Sequence, residues 1–165
     1  IDAAGNLLHR NSQWVKSIDW NGRVENFDWG PIYAALRFAT NTSYPGYLWH
    51  EAIHFDPRSR QWIILPRKAS PERYDPISDE TRGTNLLLIA SEDFSSVQVK
   101  KVGTQSPLHG WTAVRKIPGS EDLYAALRVQ ETSSPPVQST QLSVFDLSGR
   151  FYTSPQYLPV DEHIK

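Results

Sequence analysis

Turn residues interrupt this chain about every ten positions, and the apolar runs between them are short. That spacing leaves room for strands and little room for helices, as in all-β domains. The runs predict strands at 14–19, 23–27, 47–55, 61–67, 85–91, 97–103, 111–117, 123–130, 141–146 and 150–153. One segment, 31–40 (Pro31 to Thr40), carries helical periodicity, with Pro31 suited to a first turn and Asp28 as the expected N-cap. The pentapeptide YAALR occurs twice, at 33–37 in that helix and at 124–128 in an expected strand. Local propensity cannot decide both, so context must override it at one copy.

Three stretches share the pattern apolar, Asp, two residues, Gly, polar: Ile1 to Asn6, Ile18 to Arg23 and Phe145 to Arg150. Aspartate can bond its own backbone and glycine supplies a positive φ, so each reads as a hairpin turn. A longer echo joins His50-Glu51, which opens four strands, to His109-Gly110, which opens four more about sixty residues later. Four antiparallel strands, repeated, is the sequence form of propeller blades, with an irregular β-sandwich as the alternative. In the propeller reading, residues 1–45 hold the outer strands and helix of one blade, and full blades run over about 47–103 and 110–154. So few blades cannot close a ring. The start at Ile1 and the end at Lys165 then read as cuts through a longer protein.

His50-Glu51-Ala52-Ile53-His54 spells H-E-x-x-H, a zinc-protease signature that works only on a helix, where residues four apart share a face. Pro45-Gly46 before it, Asp56-Pro57 after it and its Trp, Ile and Phe content favour a strand. Strict alternation sends His50, Ala52 and His54 to one face and Glu51, Ile53 and Phe55 to the other, with the histidines ~13 Å apart. Glu51 would then share an apolar face and need a partner for its carboxylate. Without cysteine, disulfides and thiolate metal sites are excluded. A net charge of −1 with no basic stripe gives nucleic-acid binding no support. No apolar run approaches the length of a membrane span.

Several stretches together resemble one family. They include Trp14-Val15-Lys16, Gly46-Tyr47-Leu48-Trp49-His50-Glu51, Leu65-Pro66-Arg67-Lys68-Ala69-Ser70-Pro71-Glu72-Arg73-Tyr74, Arg82-Gly83-Thr84-Asn85-Leu86-Leu87-Leu88, Asp93-Phe94 and His109-Gly110. Their order is similar to that of the soluble calcium-activated nucleotidases, the apyrase family that includes salivary apyrases of blood-feeding arthropods. The resemblance covers essentially the whole chain and implies the C-terminal half of a five-bladed propeller with calcium in its central tunnel. It further implies hydrolysis of nucleoside di- and triphosphates to monophosphate and phosphate, often with UDP and GDP preferred. By motif position, Glu51 and Thr112 match calcium ligands; the family usually has Ser where this chain has Thr112. The resemblance also implies a secreted or ER/Golgi-lumen location and leaves a homodimer open.

Phosphoanhydride hydrolysis needs charge neutralised on phosphate oxygens and a water held in line. Calcium with hard oxygen ligands meets the first need. Arg67, in the specific LPRKASPERY block, is the phosphate-contact candidate, because a guanidinium matches phosphate in a bidentate way. His50 and His109 read as packed or hydrogen-bonded structural residues, Lys68 as solvent-facing, and Asp79, Glu80 and Arg82 as a solvated loop. A non-catalytic propeller used for protein binding is the rival reading.

Overall fold

The computed structural model describes residues 13–133 and 136–159, so the first of the three expected turns lies outside the described residues. Ten strands and one α-helix follow in chain order: β1 Trp14–Ile18, β2 Val24–Asp28, α1 Gly30–Ala39, β3 Tyr47–Asp56, β4 Gln61–Ser70, β5 Leu86–Ser91, β6 Val97–Lys101, β7 His109–Lys116, β8 Leu123–Ser133, β9 Pro136–Asp146 and β10 Gln156–Leu158. They form a two-stranded hairpin, β1-β2, and two four-stranded antiparallel meanders, β3-β4-β5-β6 and β10-β9-β8-β7. The all-β class and the two four-stranded units match the sequence expectation.

The remaining turns form as the Asp…Gly pattern predicts. Asp19 Oδ1 accepts from the backbone N–H groups of Asn21 and Arg23, each at 2.9 Å, and Gly22 has φ +80°. Asp146 Oδ1 accepts from the N–H of Ser148 at 2.8 Å and of Arg150 at 3.2 Å, and Gly149 has φ +91°. A carboxylate takes the amides that the tight turn leaves without ladder partners, and glycine occupies the left-handed position.

Helix α1 starts one residue earlier than expected. Asp28 is not its N-cap; Trp29 occupies that position and makes no side-chain cap bond. Asp28 Oδ1 still accepts from the Gly30 N–H at 2.9 Å, so one free amide of the first turn is satisfied. At the other end the Thr40 hydroxyl donates to the Leu36 and Arg37 carbonyls, and Asn41 adopts φ 56°.

The last strand differs more. Residues 150–153 give an isolated bridge, Phe145 to Phe151, and the ladder resumes at Gln156 opposite Leu142. The Val144 N–H donates to the Thr153 hydroxyl at 3.3 Å, so a side chain sits where a strand carbonyl would be.

Two cores hold these layers. Between the meanders, Ala52, Ile63, Leu65, Leu87, Ile89 and Val102 meet Trp111, Val114, Tyr124, Ala126 and Phe145. On the other face of the first meander, Ile64 and Leu88 pack with Leu36 of α1. The first strands of the two meanders, β3 and β7, are edge strands, and β7 packs against both β3 and β4.

Candidate active site

The ladder between β3 and β4 is irregular at two positions. Trp49 pairs with Lys68 and His50 with Pro66, so Arg67 is passed over; Ala52 then pairs with Leu65, so Glu51 is passed over. Arg67 and Glu51 are thus the extra residues of two neighbouring β-bulges, and a bulge re-aims the side chain at its site. Strand β7 repeats the device once: Trp111 pairs with Arg128 and Ala113 with Leu127, leaving Thr112 as the extra residue.

The bulge at Glu51 overturns the alternation expected for this strand. His50 packs its ring 5.1 Å from that of Tyr33 on the helix side, and Ile53 joins the core cluster on that side. Ala52 instead belongs to the core between the meanders, and Glu51 points the same way, toward Arg67. His54 faces the second meander, with Tyr124 6.2 Å away. The two histidines therefore lie on opposite faces of a strand, an arrangement that cannot close an H-E-x-x-H zinc site.

Glu51 accepts from Arg67 Nη1 at its Oε2 over 3.1 Å. Its side chain is 37% exposed, so it lies at the rim of the inter-sheet core and not inside an apolar face. Arg67 is only 10% exposed, and its Nη2 donates to Glu131 Oε2 at 2.6 Å. The guanidinium is therefore shared between carboxylates from both meanders, which gives a buried cation the compensation it requires. The stem of Arg67 lies against Gly110: a Cβ there would overlap Arg67 Cγ and stand 2.9 Å from the Arg67 carbonyl oxygen. The His109-Gly110 pair thus opens space for the arginine. His109 is a structural bridge, with Nδ1 2.8 Å from the Ser106 hydroxyl and Nε2 3.2 Å from that of Ser139.

Thr112 is not part of this ionic cluster. Trp111 and Val114 both face the core between the meanders, so the two residues separating them, Thr112 and Ala113, lie on the far face of β7. The Thr112 hydroxyl makes only a long bond, 3.5 Å, to the Leu127 carbonyl. A cavity of about 540 Å³ on the helix side of β3 is lined by Tyr33, Arg37, Tyr47, Trp49, His50 and Tyr74, and Glu51 does not line it.

Three expectations for nearby residues need correction. Lys68 is half-buried, with its ammonium 5.8 Å from the Trp49 ring centre; burial, then the neighbouring Arg67, lowers its pKa. Asp79 is buried, accepts from the Asp75 N–H at 2.9 Å and pairs with Arg82 Nε at 3.2 Å. Arg82 also pairs with Glu72, so these residues brace the segment before β5 as a network. A solvated loop would leave the same charges free.

The donor chemistry fits part of a calcium shell. Glu51 offers a half-exposed carboxylate and Thr112 a weakly engaged hydroxyl, both hard oxygens on bulges of edge strands. Among the described residues no group of three or more His, Cys, Asp or Glu could hold a metal by itself. Calcium takes six to eight oxygens, so these residues would supply a minority of them.

A family model described as Apyrase matches residues 1–163. The chain is 38% identical over 148 residues to Soluble calcium-activated nucleotidase 1 of Mus musculus, covering 89% of this chain and 36% of that protein. It is 35% identical over 147 residues to Apyrase apy-1 of Caenorhabditis elegans, with coverage of 88% and 41%. Against Apyrase of Phlebotomus duboscqi it is 33% identical over 166 residues, with coverage of 98% and 48%. The chain spans less than half the length of each of these relatives. With a family model covering nearly every residue, the chain belongs to the apyrase family.

Proposed function

We propose that this chain is part of a calcium-dependent enzyme that hydrolyses nucleoside di- and triphosphates, UDP and GDP foremost, to monophosphate and phosphate. One observation carries the proposal. A partly exposed carboxylate, Glu51, and a buried guanidinium, Arg67, are delivered to one point by bulges on adjacent strands. Calcium bound there would neutralise phosphate oxygens. Glu51 serves as a cation ligand and Arg67 as the phosphate contact, its guanidinium offering fixed N–H donors to phosphate oxygens. Thr112 is proposed as a second ligand, from its hydroxyl and the matching bulge. The meanders are read as two blades of a five-bladed propeller, with β1, β2 and α1 from the blade before.

The names of the relatives, nucleotidase and apyrase, support the substrate class. Because the chain corresponds to under half of each relative, it is proposed not to catalyse alone. Placement in a secreted or ER/Golgi-lumen setting rests on the resemblance. The test is phosphate release from UDP by the complete protein, with calcium and with excess chelator. Activity is expected only with calcium; release that survives chelation would overturn the proposal.

A further inference from the structure

Arg67 holds two carboxylates, and the motif reading accounts for only one of them. Glu131 lies on β8, in the second meander, yet makes the shorter of the two bonds to the guanidinium, 2.6 Å against 3.1 Å. The exposures differ as well: the arginine is buried, whereas Glu51 and Glu131 are 37% and 57% exposed at their side chains. One cation and two carboxylates give the cluster a net charge of −1. Such a cluster repels a phosphate, and both terminal nitrogens of its arginine are already engaged. A divalent cation on Glu51 would change the net charge to +1.

We infer that Glu131 is a positioning residue for Arg67, holding its Nη2 edge while Glu51 exchanges between Arg67 Nη1 and a divalent cation. Arg67 then presents its Nη1 edge to a nucleoside-diphosphate phosphate only once Glu51 has been drawn away. The inference rests on the reading of Glu51 as a cation ligand. Two features of the fold support it. Gly110 lets the arginine stem pack closely against β7, where an added Cβ would overlap Arg67 Cγ, so the guanidinium sits within reach of both carboxylates. Glu131 comes from the opposite meander, so its hold on Arg67 survives when Glu51 departs. The arginine acts as an internal competitor for the cation ligand, and cation and phosphate binding become coupled through it.

The test is a double-mutant cycle in the complete protein, read as calcium affinity by titration calorimetry without nucleotide. Arg67→Ala is expected to tighten calcium binding about fivefold, because the competitor for Glu51 is gone. Glu131→Gln is expected to weaken it about fivefold, because the guanidinium then falls wholly on Glu51. In the Arg67→Ala background, Glu131→Gln is expected to change nothing. An equal weakening in both backgrounds would show that Glu131 acts through space as a plain charge, and would overturn the inference. Failure of Arg67→Ala to tighten binding would overturn it too. If Arg67→Ala does not fold, Arg67→Gln keeps a stem against Gly110 and serves in its place.

Kinetics supply a second readout. Glu131→Gln should lower kcat/KM for UDP mainly through KM, with partial rescue by Glu131→Asp; a loss confined to kcat would contradict a positioning role. Absence of calcium binding in the wild-type protein would instead sink the proposed function, with the cycle then having no signal to read.

Discussion

The two meanders are built on one plan and equipped differently. Each begins with an edge strand whose inner ladder skips one residue, followed by alanine and an aliphatic: Glu51-Ala52-Ile53 in β3 and Thr112-Ala113-Val114 in β7. In β3 the two bulge residues face the second meander; in β7 they face away from the first. The side chains differ. The first meander adds a second bulge, at Arg67, and so assembles an ion pair, whereas the second offers a lone hydroxyl. A backbone irregularity can thus repeat while the chemistry mounted on it varies.

The sharpest way to break this comparison is Glu51→Ala in the complete protein. If the first bulge carries the cation ligand, calcium-dependent phosphate release from UDP should fall about 10²–10³-fold, near 3–4 kcal/mol of transition-state stabilisation. Activity within tenfold of wild type would mean that the two bulges differ in appearance only.

A second variant addresses what joins the meanders. Buried Asp56 of β3 pairs with Lys116 of β7 at 2.7 Å. Asp56→Asn strands a mostly buried ammonium and should cost about 2–3 kcal/mol in denaturant unfolding. Burial alone would raise the Asp56 carboxyl. The Lys116 bond, with those from the Arg58 N–H and Ser59 hydroxyl, outweighs it and holds the carboxyl at about 2. Its folded value is depressed, so its contribution should be complete above the ordinary 3.8 and be lost as pH falls toward 2. An acid titration of stability should show that loss in wild type, and Asp56→Asn should abolish this component.

Gly110→Ala should cost about 1–2 kcal/mol, since the added methyl meets Arg67 and strains a packed site. The same variant should raise KM for UDP by displacing the guanidinium; an unchanged KM would detach Arg67 from the substrate. The smallest effect belongs to the second bulge. Thr112→Ser keeps the oxygen and should shift stability by less than about 0.5 kcal/mol with calcium dependence intact.

Much of the fold was legible because its signals are local. Turns declare themselves when an aspartate and a glycine stand at fixed spacing, as at Asp19…Gly22 and Asp146…Gly149. The two YAALR copies show tertiary context deciding the rest. Tyr33–Arg37 buries Leu36 from a helix, while Tyr124–Arg128 buries Tyr124, Ala126 and Arg128 from a strand. The second copy is flanked by partners on both sides, β7 and β9, and those ladders override its helical content.

The site was legible only as residue types. Arg67 and Glu51 stand out in their motifs, but their meeting depends on two bulges; each shifts the alternation by one residue, and apolar residues on both faces of β3 mask that shift. Glu131 had no signal at all, because its importance comes from a bond to a residue 64 positions away. The burial of Asp79 was hidden likewise, since a charged string reads as solvated until its partners are placed.

The bulges bear on solubility as well as chemistry. An unbroken edge strand offers a straight rail of amides and carbonyls on which another polypeptide can dock and begin a fibre. The skipped residues at Glu51 and Thr112 bend β3 and β7 and coil them more tightly, spoiling that rail along the margins where the two sheets adjoin. The kinks that aim a carboxylate and a hydroxyl therefore also keep these margins from serving as templates for misassembly.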